Sequence, residues 1–324
     1  MLGTGRQMRT PLGWLAARVS VGRRALRIAA LSSLVATILI IIGGGVVRVT
    51  GSGLGCPDWP TCAGGAIAPT AELGWHGIIE FGNRLLTGAL CVVVGWVIVV
   101  ARLQREPVPA VTRWAWMQFF VVILNAVVGG ITVLARLSPY IVAAHLLAAM
   151  LLLTSATVTW DKAQRLDMTR PGGSNSSARI RPLGSALLIA TAVLVVVGTV
   201  VTGTGPHAGD SSEVARMPFS WTWVTLLHAG AAVVAFGVAL ALWRVARQER
   251  NTALSHQVLV YLIVFIGQGV VGIVQVVTHL PEVVVVLHLL GSALVWVGAV
   301  RILLAAQSSA ENQTAKPYAL SDTR

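Results

Sequence analysis

Four histidines stand where a histidine is expensive. His76, His145, His228 and His288 each lie near the start of an apolar run of roughly 20 residues, the length that crosses ~30 Å of hydrocarbon. An ionisable ring inside such a run marks a functional site by default. His76 and His228 are 152 residues apart, and His145 and His288 are 143 apart. Two imidazoles from facing helices at one depth are what a six-coordinate haem iron requires. The spacing therefore pairs His76 with His145 and His228 with His288, four rings at one common depth. Gly129, Gly130, Gly269 and Gly272 leave room for a macrocycle between the helices. Interhelical hydrogen bonding alone is a less economical account of four histidines in repeat-related pairs. Zinc is also weaker, because it wants three or four ligands within ~2.3 Å. His207, His256 and His279 read as solvated loop or boundary residues.

The elements that must position these rings are membrane spans. Hydrophobic residues make up 55% of the chain and charged residues 11%, against about 25% charged in soluble domains. Eight apolar runs follow, at about 28–50, 74–101, 114–135, 141–160, 183–203, 221–243, 257–278 and 282–304. The first is too long for a cleavable signal peptide, and no small-residue cleavage site follows it. Thr50-Gly51-Ser52-Gly53 recurs as Thr202-Gly203-Thr204-Gly205 at the offset of 152, and Val127-Val128-Gly129 recurs as Val270-Val271-Gly272 at 143. The fold class is thus all-α integral membrane, with eight transmembrane helices as two four-helix bundles. Four spans is an even number, so the halves share one orientation and are related by a pseudo-two-fold axis along the membrane normal. The organisation reads as a basic tail (1–27), an N-terminal half (28–160), a linker (161–182), a C-terminal half (183–304) and a polar tail (305–324). The first tail is expected to lie as a basic amphipathic helix on the inner leaflet, and the second to be disordered. Pro171-Gly172-Gly173-Ser174-Asn175-Ser176-Ser177 makes the linker polar and flexible. Pro139 and Pro281 are expected to stop helices at two tight turns.

The net charge of +12 is segregated. Arg6, Arg9, Arg18, Arg23, Arg24 and Arg27 precede the first run, and further clusters fall in alternate loops. This bias puts both termini in the cytoplasm and the four histidines towards the extracytoplasmic face of a cell membrane. It also argues for membrane lipid as the basic surface's partner and against nucleic acid. Cys56 and Cys62 then lie in an outer loop, where an oxidising exterior permits a disulfide. No CxxCH exists for covalent haem attachment.

Glu80 breaks the symmetry, since its repeat counterpart is Ala232. It lies four residues after His76 and four before Arg84, so the three share a helix face. Two readings stand: a buried Glu80–Arg84 pair with no further task, or a carboxylate that handles protons beside one reactive haem. Asn83, one turn below Glu80, is a candidate for the same role. Arg48, Arg84 and Arg136 are candidates for pairing with haem propionates.

The run from Gly44 to Leu54, the loop Cys56-Pro57-Asp58-Trp59-Pro60-Thr61-Cys62, and Glu80-Phe81-Gly82-Asn83-Arg84 together resemble bacterial haem A synthases of an actinobacterial type, over roughly residues 28–304. The resemblance implies oxidation of the C8 methyl of haem O to a formyl group by successive hydroxylations, for cytochrome c oxidase biogenesis. It implies a haem b cofactor on His228 and His288, haem O facing His145, Glu80 as the functional glutamate, a Cys56–Cys62 pair serving as a disulfide or in electron delivery, and haem O synthase as a partner. Many members carry histidine where this chain has Asn83, so His76 is expected to replace it as a ligand. No second cysteine pair occurs in residues 206–220. Homo-oligomerisation is left open by these residues. A di-haem b-type electron carrier would not need Glu80 on one side only. A transporter would need broken helices and polar groups at mid-membrane.

Overall fold

The computed structural model describes residues 14, 15, 18–166, 179–207, 209, 210 and 212–314, with 308–314 as backbone only. The expectations for most of the first tail, for Pro171–Ser177 and for 315–324 lie outside the described residues. Among the described residues eight helices are long and apolar enough to cross a membrane, so the chain is a multi-pass membrane protein. They are α1 (Arg23–Val49), α2 (Gly74–Arg102), α3 (Pro109–Leu134), α4 (Pro139–Arg165), α5 (Ile180–Thr204), α6 (Trp221–Gln248), α7 (Thr252–Val277) and α8 (Glu282–Thr314). None is broken, which removes the structural feature a transporter reading needs.

Several helices outrun their apolar stretches. α1 starts five residues early, at Arg23, whose guanidinium meets Glu106 at 2.8 Å. α7 starts at Thr252 because the Asn251 side chain caps the Leu254 N–H at 3.1 Å. α8 runs ten residues past its expected end, into polar sequence. Hydropathy senses only the hydrocarbon layer, whereas backbone hydrogen bonding carries a helix on until a cap ends it.

Each half is a ring of four helices in chain order, α1 to α4 and α5 to α8, with the last packed on the first. The halves touch through α4 and α8, and through the related contacts α1–α8 and α4–α5. That pattern is what a two-fold axis beside α4 and α8 produces. The repeat reaches backbone conformation. Arg136 and Leu137 take left-handed φ of 49° and 57°, and their counterparts His279 and Leu280 both take 61°. The Leu137 N–H donates to the Thr132 carbonyl at 2.9 Å, and the Leu280 N–H to the Gln275 carbonyl at 2.6 Å. A left-handed turn at non-glycine residues costs roughly 1–2 kcal/mol per residue, yet both halves accept it to reverse direction in so few residues. Pro139 accordingly sits at the first turn of α4, where it initiates the helix.

The packed cores lie away from the histidines. In α6 the buried residues are Ala235, Ala239, Leu242 and Ala246, all beyond His228. In α7 they run from Leu254 to Phe265 and stop short of Gly272. Alanine-lined contacts let backbones approach closely, which is how helices associate when lipid is as apolar as the core. A hydrogen bond spans each core. Ser33 of α1 meets Gln118 of α3 at 3.0 Å, and Thr191 of α5 meets Tyr261 of α7 at 3.1 Å. These form a floor in each half. All four histidine rings are only half-buried.

Candidate functional site

In the C-terminal half, α6 and α8 aim His228 and His288 at each other. Their ring centroids are 6.5 Å apart. Two imidazoles on opposite sides of one metal, each nitrogen about 2 Å from it, put ring centres about 6 Å apart. Each ring leans on a glycine of the neighbouring helix. A Cβ on Gly198 of α5 would stand 3.1 Å from His228 Cε1, and one on Gly272 of α7 would stand 3.2 Å from His288 Cε1. Both Nδ1 atoms are buried without a hydrogen-bond partner. The donor chemistry, the ring separation and the glycine cradles all fit a haem. Among the described residues no three His, Cys, Asp or Glu side chains gather as a metal site.

Gln268 braces this pair. Its amide donates to the His288 carbonyl at 2.6 Å, in space that exists because residue 291 is glycine. The counterparts in the first half are Asn125 and Ala148, where the shorter amide donates to the Ala148 carbonyl at 3.0 Å. The longer side chain and the smaller neighbour change together. Filling a cradle is expected to break the pair. Gly198→Leu and Gly272→Leu should each cut C-terminal haem content about tenfold or more, the scale of losing support for a ligand. Gly267→Leu, where a Cβ would meet nothing within 4 Å, should leave it unchanged. Haem-to-protein ratios from absorbance would check this.

The N-terminal half is built differently. His145 lies against Gly129, 3.0 Å from the position of a Cβ, as its counterpart His288 lies against Gly272. His76 departs from the expected common depth. It is the third residue of α2, whereas the other three histidines lie seven or eight residues into their helices. It meets Ser52, beyond the end of α1, with Nδ1 3.0 Å from Oγ, and it stacks on Trp75 at 3.8 Å. His228 instead meets Gly198, well inside α5. Equal sequence offsets therefore conceal a slide of about one turn between α1 and α2. Among the described residues, His228–His288 is the one ring contact between histidines. Gly130 is not free space either: the Trp59 indole covers the place where a Cβ would stand. Gly269 does face open space.

Glu80 is 5% exposed, and both of its oxygens are taken. Oε2 accepts from the Cys56 N–H at 2.7 Å and Oε1 from Arg84 at 2.7 Å. Arg84 also donates to the carbonyls of Cys56, Asp58 and Thr61. The pair thus has a further task, since it grips the ring closed by the Cys56–Cys62 disulfide. Arg84 has its terminal nitrogens committed to this loop and presents none of them to a propionate. Asn83 points Oδ1 at Gly43 of α1 and leaves it unpartnered. Arg48 crosses between the halves to the Thr202 carbonyl at 2.9 Å, and its Nε is buried without a partner. Arg216 binds the carbonyls of Gly205 and Pro206 at the same helix end. Arg136 is exposed at the α3–α4 turn. Sequence reading missed Ser52, Gly198, Gln268 and Trp59. Of these only Gly198 carried a local signal, as a lone glycine in a valine run, and its repeat counterpart is Val46.

Residues 27–77 and 75–300 match the family described as cytochrome oxidase assembly protein, COX15-CtaA. The chain belongs to this family. It is similar to proteins named haem A synthase from several bacteria. The one from Lysinibacillus sphaericus is 27% identical over 299 residues, covering 86% of this chain and 95% of the relative. That from Geobacillus thermodenitrificans is 26% identical over 93% of this chain and 98% of its own length. That from Bacillus licheniformis is 28% identical over 76% and 84%. The COX15-CtaA match spans both histidine pairs, the Cys56–Cys62 loop and Glu80.

Proposed function

We propose that this protein is a haem A synthase. It takes haem O, oxidises the C8 methyl to a formyl group by successive hydroxylations, and supplies haem A for cytochrome c oxidase. The C-terminal half keeps a b-type haem between His228 and His288, and the N-terminal half receives haem O at His145 and His76. The observation that carries the reading is the facing His228–His288 pair with its two glycine cradles, in a chain whose relatives bear that name. The bound haem supplies one-electron redox chemistry near the substrate. The residues do the rest. Gly129 lets His145 approach the centre of its bundle. Glu80 and Arg84 hold the disulfide loop over the site, with Trp59 on Gly130 closing it from water. Glu80, the carboxylate nearest this mouth on α2, takes the acid–base role. Arg48, with its unpartnered Nε between the halves, is the arginine best suited to a propionate. The arginine bias orients both termini to the cytoplasm and the histidine end outward.

The asymmetry also favours this reading over a di-haem electron carrier. A carrier needs two equivalent permanent sites, and only one half has its histidines in ring contact. Membranes of expressing cells, which keep their own electron carriers and oxygen supply, should convert added haem O to haem A, as read by chromatography. His145→Ala should cut that yield by about a hundredfold and His76→Ala by about tenfold, the upper and lower ends of what ligand-sphere changes cost. Untouched haem O with the wild type would end the reading. A normal yield from His145→Ala would remove that residue as the substrate ligand.

A further inference from the structure

Thr50, Ser52 and His76 form a hydroxyl chain whose direction can be worked out. Thr50 Oγ1 lies 2.8 Å from the Val46 carbonyl, which can only accept, so the Thr50 hydrogen is spent there. Thr50 Oγ1 also lies 2.9 Å from Ser52 Oγ. With its own hydrogen committed, Thr50 must accept, so Ser52 donates to it. Ser52 then has no hydrogen left for the ring nitrogen 3.0 Å away, and His76 Nδ1 must be the donor. We infer that Thr50 and Ser52 are positioning residues that lock His76 in its Nδ1–H tautomer, with the Nε2 lone pair presented to a metal. This deepens the proposed function and rests on His76 facing the substrate iron.

Three observations support a built device. Ser52 is fully buried, so water does not compete for its hydroxyl. The segment is anchored from the other half, since Ser52 bridges to Asp210 and the Gly53 N–H donates to the Gly209 carbonyl at 2.7 Å. Among the described residues the C-terminal half has no such chain. Its counterparts Thr202 and Thr204 turn back on the Gly198 and Val200 carbonyls of their own helix, and His228 Nδ1 has no hydroxyl partner. Fixing the tautomer through the second nitrogen is the usual way a protein prepares a histidine ligand. Here the preparation depends on a loop of the opposite half.

The test titrates haem O into purified, haem-loaded protein and reads affinity and the low-spin signature of the added iron. His76→Ala sets the scale by removing the ligand. Ser52→Ala and Thr50→Val should each weaken haem O binding about ten- to a hundredfold and raise the high-spin fraction, with the C-terminal haem spectrum intact as the folding control. Thr50→Ser keeps the hydroxyl and should restore the wild-type spectrum. If His76→Ala leaves the added haem unchanged, His76 is no ligand and the inference falls with that assignment. If His76→Ala has its effect but Thr50→Val and Ser52→Ala match the wild type, the hydroxyl chain alone is refuted.

Discussion

Replacing Glu80 by alanine is expected to abolish haem A formation and leave the C-terminal haem in place. The carboxylate is gripped by the Cys56 N–H and by Arg84, deep in a helix that has Ala232 at the equivalent place. Its removal strands a guanidinium in a half-buried site, and breaking one side of a buried pair costs about 3–5 kcal/mol. The disulfide loop, and Trp59 with it, should then come away from Gly130. Losing an acid–base group costs about 10²- to 10⁴-fold on its own. Glu80→Gln separates the two effects. It can still accept from Cys56 but cannot carry the proton, so it should also fail to make haem A while the loop stays closed. Protease sensitivity of the 50–70 loop, set beside haem chromatography, would check this. Normal haem A output from Glu80→Gln would reduce the residue to a latch.

The second large effect concerns His228 and His288. Either change to alanine should remove the tightly bound b-type absorbance, because among the described residues no other imidazole meets the remaining ring. Haem A synthesis should fall with it, although the first half keeps all its residues. His145→Ala should do the reverse, sparing the b-type signal and losing conversion. The two classes of variant thus separate cofactor from substrate. Unchanged low-spin haem in His228→Ala would refute the cofactor assignment.

Much of this was legible in the sequence because membrane solvation is a strict constraint. A span must be long, apolar and internally hydrogen-bonded, so eight runs became eight helices. The facing pair His228–His288 stood out for the same reason, whereas the expected partnership of His76 with His145 at one depth did not take shape. Other features depend on where backbones slide and fold back. The offset of 152 between His76 and His228 holds in sequence, yet α1 ends at Val49 with Gly51 left-handed whereas α5 continues through Gly203 to Thr204. That extra turn moves the contact from Gly198 in one half to Ser52 in the other. Arg84, four residues on, was legible as a partner of Glu80, but the Cys56 N–H lies 24 residues away in an irregular loop, where no periodicity points at it. Gly130 and Gly269 looked like equivalent space, but only a folded loop reveals that Trp59 fills one of them. The helix ends were misjudged because polar turns at Arg23 and Thr252 are invisible to hydropathy.

The central claim is that the two halves hold chemically different haems, one resident between His228 and His288 and one exchangeable beside His145. The direct measurement is quantitative chromatography of pigments from purified protein before and after exchange against excess haem O. The account expects haem b to stay at one equivalent through the exchange while the remaining haem turns over to haem O and haem A. Haem b lost in parallel with the rest, or two equivalents of haem b that never exchange, would contradict it.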